Sequence, residues 1–216
     1  MLTPSGEWQS FVLPKIANLW NTGNLIVNED DDKWVLVLRG HDAYVIDKTG
    51  NNIKQLLVTS YFNNGQNEVY NRMDDVYSIV EDNKSAIWIG TSKGVALYSN
   101  PSRIWDSETL YATQPSLDLN DGVYHPLLAT ETVTAIGVDG ANRKWFGTKE
   151  SGVFLISENG EKEILHFTEQ NSPLLSNEIN AITINQKSGE VLFGTNEGLI
   201  SYQGDAMSGK ATDENV

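Results

Sequence analysis

Hydrophobic and polar positions along the chain alternate in short runs, and one pattern of runs keeps returning. Val76-Tyr77-Ser78-Ile79-Val80-Glu81-Asp82 is followed by Ile87-Trp88-Ile89-Gly90-Thr91 and then by Gly94-Val95-Ala96-Leu97-Tyr98. The order recurs as Val133 to Asp139, Lys144-Trp145-Phe146-Gly147-Thr148 and Gly152-Val153-Phe154-Leu155-Ile156. It recurs again as Ile179 to Asn185, Val191-Leu192-Phe193-Gly194-Thr195 and Gly198-Leu199-Ile200-Ser201-Tyr202. An eroded copy comes first: Leu25-Ile26-Val27-Asn28, then Lys33-Trp34-Val35, with Leu36 and Val37 in place of the Gly-Thr pair. Asn28, Asp82 and Asp139 each stand six positions before Trp34, Trp88 and Trp145. The repeat glycines are 57 (147 − 90) and 47 (194 − 147) positions apart, and self-similarity at spacings of this size marks a repeat architecture.

Each unit predicts strand, turn, strand, turn, strand, because short β-branched and aromatic runs are separated by Asn, Asp, Gly, Ser and Lys. Asp82-Asn83-Lys84-Ser85 and Asn185 to Gly189 read as hairpin turns between the first two strands. Ser92-Lys93-Gly94 and Asn196-Glu197-Gly198 read as the tight turn into the third. The nearest approach to a helical period, residues 10 to 20, is interrupted by Pro14. Outer fourth strands are expected at Ile53 to Val58, Ile104 to Ala112 and Ile164 to Thr168. Three or four antiparallel strands per repeat predict an all-β fold, a β-propeller with four blades at approximately 22–70, 71–128, 129–174 and 175–203. Residues 1–21 form a leading strand or linker in this reading, and 204–216 a tail. A tryptophan in the second strand can wedge between neighbouring blades, and a glycine beside it lets backbones approach. Recurrence of Trp34, Trp88 and Trp145 in successive units is the mark of packing rather than of ligand contact.

Composition narrows the partners. The chain has 216 residues, 29 acidic and 15 basic side chains and a formal charge of −14. That balance repels phosphate backbones, and no Lys/Arg cluster offsets it, so no nucleic-acid partner is expected. With no cysteine, disulfides, thiolate zinc sites and cysteine nucleophiles are excluded. No apolar run is long enough to span a membrane as a helix. Met1 to Glu7 lack a signal peptide's basic and apolar regions, which leaves a cytoplasmic protein or a piece whose export signal lies upstream.

Candidate chemistry is sparse. The three histidines, His41, His125 and His166, share no short spacing, so a paired zinc motif is unsupported. Gly-x-Ser-x-Gly, P-loop and dinucleotide fingerprints are missing, and no catalytic, cofactor or metal residue is assigned. Glu29-Asp30-Asp31-Asp32 reads as a solvated turn. Asp118-Leu119-Asn120-Asp121-Gly122 offers oxygen ligands for calcium but lacks the alternation and closing Glu of an EF-hand loop. The least repetitive stretch, residues 99 to 130, carries Trp105, Tyr111, Tyr124 and His125. Long loops inserted into a repeat scaffold often carry binding, and aromatic faces can stack on sugar rings. The alternative for this stretch is an outer strand plus a crossover.

The pattern hydrophobic-x-x-Ile-x-x-Asp, then Trp-Ile-Gly-Thr, then Gly-Val or Gly-Leu, resembles the two-component regulator propeller repeats of large Bacteroidetes surface and sensor proteins. The resemblance covers about residues 22 to 203. Asn171 to Ile182, continued through Gly198 to Tyr202, is most similar to the last blade of a surface component of the type IX secretion system. That resemblance implies two propellers and a C-terminal sorting domain, a sortase as protein partner, and presentation of anionic lipopolysaccharide at the cell surface. The four repeats and the end at Asp213-Glu214-Asn215-Val216 depart from it. They leave two expectations: the later part of a larger propeller, or a closed four-bladed ring completed by Glu7 to Leu13. A non-catalytic binding and assembly module at the surface, outer membrane or periplasm is expected. The alternative is the carbohydrate-sensing propeller of a hybrid two-component regulator. A propeller enzyme would need clustered His, Tyr, Arg or carboxylates.

Overall fold

The computed structural model describes residue 10 and residues 22–38, 42–63 and 67–207. The Asp or Asn six positions before each tryptophan builds a hairpin turn. Asp82 Oδ1 accepts the N–H groups of Lys84 and Ala86, and Ser85 takes a left-handed φ of 62°. Asp139 does the same for Ala141 and Arg143, with Asn142 at 59°. Asn28 Oδ1 accepts from Asp32, with Asp31 at 63°. The repeated threonine closes the next turn. Thr91, Thr148 and Thr195 each donate their hydroxyl to the carbonyl of the glycine that opens the third strand.

Between these turns run the strands. β1 (Thr22–Val27), β2 (Lys33–Val37), β3 (Asp42–Ile46) and β4 (Ile53–Leu57) form an antiparallel sheet in chain order. β5 (Thr59–Asn63) and β6 (Glu68–Arg72) pair as a hairpin. β7 (Val76–Glu81), β8 (Ile87–Thr91) and β9 (Gly94–Tyr98) make the second blade. A 3-10 turn (Pro101–Ile104) and the two-residue pair β10 (Ser116–Leu117) and β11 (His125–Pro126) follow. β12 (Val133–Val138), β13 (Lys144–Thr148), β14 (Val153–Ile156) and β15 (Glu163–Phe167) form the third blade. β16 (Ile179–Asn185), β17 (Glu190–Thr195) and β18 (Gly198–Gln203) form the fourth.

The first strands of the blades lie side by side, β1 against β7, β7 against β12 and β12 against β16. This is the radial packing of a propeller, as the repeat predicts. Among the described residues no comparable contact joins β16 to β1, so the described blades form an open arc. At its ends Leu25 and Val27 on β1 and Leu199 on β18 face solvent.

Each of the repeat tryptophans, Trp34, Trp88 and Trp145, is a seam residue. Trp34 shares a buried cluster with Val76 and Ile79 of the next blade, Trp88 with Val133 and Phe146, and Trp145 with Ile179 and Phe193. The glycines work as expected where a following blade exists. A Cβ on Gly90 would lie 2.6 Å from the Val133 carbonyl, and one on Gly147 2.5 Å from Ile179 Cγ2.

Two of the three expected outer strands form, as β4 and β15. Residues 104 to 112 do not. Pro101 opens a 3-10 turn that buries Ile104, and the chain reaches the edge of β9 only at Thr113, which exchanges two 2.8 Å backbone bonds with Leu97. The neighbouring Ala112 bonds in turn to Thr59 and Tyr61 of β5. Residues 112–113 thus splice the β5–β6 hairpin onto the outer edge of the second blade, an extension that the repeat pattern does not contain. The expected strand at Glu7 to Leu13, apart from Ser10, lies outside the described residues, as do residues 39–41 with His41 and the tail from 208 to 216.

Candidate binding site

The spliced hairpin gathers aromatic side chains at one edge of the arc. Tyr61 and Tyr70 are cross-strand partners, so both rings stand on the same face, 5.1 Å apart. Tyr111, in the segment joined to β5, brings its ring to 5.0 Å from Tyr70 and 6.3 Å from Tyr61. Tyr70 and Tyr111 are 49% and 44% exposed. Phe62 points to the opposite face and stacks on Tyr124 at 4.0 Å and 13°. Glu68 accepts both the Tyr61 and Tyr70 hydroxyls at 3.2 Å. Desolvation among the rings, the bond to Glu68 and the Glu68 charge hold the Tyr70 hydroxyl above the ordinary phenol value.

A cleft of about 390 Å³ opens beside Tyr70 and Tyr111, bordered by Lys54, Gln55, Leu57 and Glu108. Across Lys54 lies a larger polar hollow of about 840 Å³, lined by Asp30, Asp32, Asp47 and Trp105 among others. Asp47 anchors its own turn. Burial raises its carboxyl value, but bonds from Asn52, Thr49 and the Asn51 N–H outweigh that and bring it down to about 2.

The residues singled out by sequence separate into framework and surface. Trp34, Trp88 and Trp145 are buried framework. Trp105 is pinned by its indole N–H to Asp32 Oδ2 at 2.6 Å, while Tyr111 joins the exposed cluster. His125 pairs with Asp121 at 2.7 Å, and His166 bonds the Ser151 carbonyl and stacks on Phe154. Asp118 and Asp121 are used locally, accepting the N–H groups of Asn120 and Val123. In the acidic turn, Glu29 interacts with Ser85 and Glu81 of the next blade. Among the described residues no group of three His or carboxylates is placed to hold a metal. Sequence reasoning missed Tyr61, Phe62 and Tyr70. The signal was present in Asn64-Gly65 between two alternating runs, a pairing that marks a hairpin.

Radially packed antiparallel blades define a β-propeller. Residues 73–93 match the two component regulator propeller family. Over 96% of its length it is similar, at 30% identity and a TM-score of 0.82, to PorZ, an essential surface component of the type IX secretion system of Porphyromonas gingivalis. It is also similar, at 18% identity and a TM-score of 0.61 over 92% of its length, to the extracellular domain of BT4673 from B. thetaiotaomicron. Virginiamycin B lyase from Staphylococcus aureus shares 14% identity over 94% of this chain, at a TM-score of 0.58 and 62% of its own length. The last two likenesses show the fold alone. The chain spans 29% of PorZ and 24% of the BT4673 domain, under a third of either. No curated protein matches it, and among the described residues no helix is long and apolar enough to cross a membrane.

Proposed function

We propose that this chain is a non-catalytic recognition module of a cell-surface protein, working like the corresponding part of PorZ in a secretion assembly. The observation that carries this reading is the 30% identity to PorZ along 96% of the chain. It is supported by an exposed cleft bordered by tyrosines, leucines, Glu108 and backbone-bound Lys54, a surface open to a ligand. A sortase-like protein and a surface glycolipid such as lipopolysaccharide are its proposed partners. The match of residues 73–93 to the regulator repeat favours a second reading, the carbohydrate-sensing propeller of a hybrid two-component regulator.

Affinity capture tests the choice. The full chain, shown to be folded by circular dichroism, is used as bait in outer-membrane extracts of a type IX-secreting bacterium, with protein and lipopolysaccharide both assayed. Recovery of a sortase or lipopolysaccharide is expected. Recovery of neither turns the assignment to the sensor reading.

A further inference from the structure

We infer that Tyr61, Tyr70 and Tyr111, with the cleft beside them, form a binding site for an uncharged saccharide. The inference rests on the recognition-module reading and adds to it a second ligand class, distinct from the lipopolysaccharide proposed above. Three rings held within 6.3 Å of one another, two of them nearly half exposed, gather on and beside a hairpin whose outer strand β6 is exposed at every residue. Such rings contribute little to the core, and a clustered exposed patch of this kind marks an interaction site. Faces of Tyr suit a ligand that is apolar on one side and wet on the other, which describes a pyranose ring. Its C–H face can lie on the rings while its hydroxyls meet polar groups.

Those polar groups are oriented. Glu68 takes the protons of the Tyr61 and Tyr70 hydroxyls; the Tyr61 oxygen accepts from Asn63 Nδ2 at 3.4 Å, and the Tyr70 oxygen keeps acceptor capacity for a sugar O–H group. The cleft, about 390 Å³, has the size of a small-ligand site.

Charge selects among saccharides. Glu68 and Glu108 lie at the rings and the cleft. The one ammonium group there, Lys54, is bonded to the carbonyls of Ile104, at 2.7 Å, and Ser107. Arg72 lies 4.0 Å from Asp42. Carboxylates and cations thus nearly balance at the site, which offers no cationic clamp for an anionic glycan, and the net charge of −14 on the chain disfavours one.

The test is calorimetric titration of the full chain with maltoheptaose, cellohexaose, mannohexaose and xylohexaose, and with hexagalacturonate as the anionic probe. At least one uncharged oligomer is expected to bind, with an affinity that salt leaves unchanged. Tyr70→Ala and Tyr111→Ala should each weaken it about tenfold, the scale of one lost aromatic contact, while Tyr70→Phe retains most of it. Circular dichroism checks the alanine variants, and the Phe variant remains informative should they fail to fold. Binding of none of the four uncharged probes, preference for hexagalacturonate, or indifference to both alanine changes overturns the assignment. If capture of a surface partner persists while all four fail, the site is wrong and the module reading stands. If that capture is also lost in Tyr70→Ala, the rings serve a protein partner instead.

Discussion

Lys144 Nζ lies 2.7 Å from Asp82 Oδ2 across the seam between the second and third blades, and the two side chains are 0% and 4% exposed. The ammonium also donates to the Glu158 carbonyl at 2.8 Å and sits 4.5 Å above the Trp88 ring. Asp82 Oδ2 in turn accepts the Trp88 indole N–H at 2.9 Å. The blade turn, the wedge and the next blade thus meet at one carboxylate. Removing one partner of a buried pair strands the other charge, which costs more than the pair contributes. Lys144→Met should lower the unfolding free energy by about 3–5 kcal/mol in urea titration. Combining it with Asp82→Asn should cost less than the two single changes summed. Additive losses would show that the two residues act separately.

The same carboxylate sets an acid limit. Desolvation raises the Asp82 value, but Lys144, Trp88 and the Lys84 N–H outweigh it and hold it below the ordinary range. A carboxylate lowered by folding stabilises the native state above its unfolded value of about 3.9, and the contribution is lost as pH falls through the folded value. The melting temperature of the native protein should therefore fall more steeply than that of Asp82→Asn between about pH 5 and pH 2. Lys144 is lowered, first by burial, so its own contribution changes on the alkaline side, as pH rises from its folded value towards the unfolded one. Parallel acid curves would remove Asp82 from this role.

Trp88-Ile89-Gly90-Thr91 shows why the blades were legible. Every residue in it serves the strand, the seam or the turn, and each use recurs in other blades, so the pattern is repeated along the chain. Tyr70 and Tyr111 are different. They meet because Ala112 bonds to β5, a long-range splice made once, which no period can announce. Trp105 stood out as an aromatic in an insertion, yet its partner is Asp32 in a distant turn. Sequence identified the stretch 99–130 as unusual but not which of its rings faces solvent, because that depends on packing against β5 and β6.

Gly90 and Gly147 separate the seam from the strand. An added methyl at Gly147 meets Ile179 of the following blade, and at Gly90 both Ser78 Oγ of its own sheet and the rigid carbonyl of Val133 in the following blade. At Gly194 the nearest atom lies 3.5 Å away, in Ala181 of its own sheet. Gly90→Ala and Gly147→Ala should each cost about 1–3 kcal/mol through overpacking, with Gly194→Ala well below either. Urea midpoints of the three variants give the order. Equal losses would mean that the glycines serve strand geometry rather than blade approach.

The hairpin that carries the tyrosines depends on a ring it hides. A two-stranded hairpin is marginal alone, and β5–β6 is fastened by the bonds to Ala112 and by the stack of Phe62 on Tyr124. Tyr124 is fixed by its hydroxyl, which donates to the Gln114 carbonyl at 2.7 Å. Phe62→Ala removes the stack while leaving Tyr61, Tyr70 and Tyr111 in place. An aromatic pair of this kind is worth about 0.5–1.5 kcal/mol beyond its burial, so local opening should become up to about tenfold more frequent. Hydrogen exchange should then quicken across residues 59–63 and 67–72 and stay unchanged in β12 to β15. Exchange that is unaltered in the hairpin would assign its anchoring to the backbone bonds at Ala112 alone.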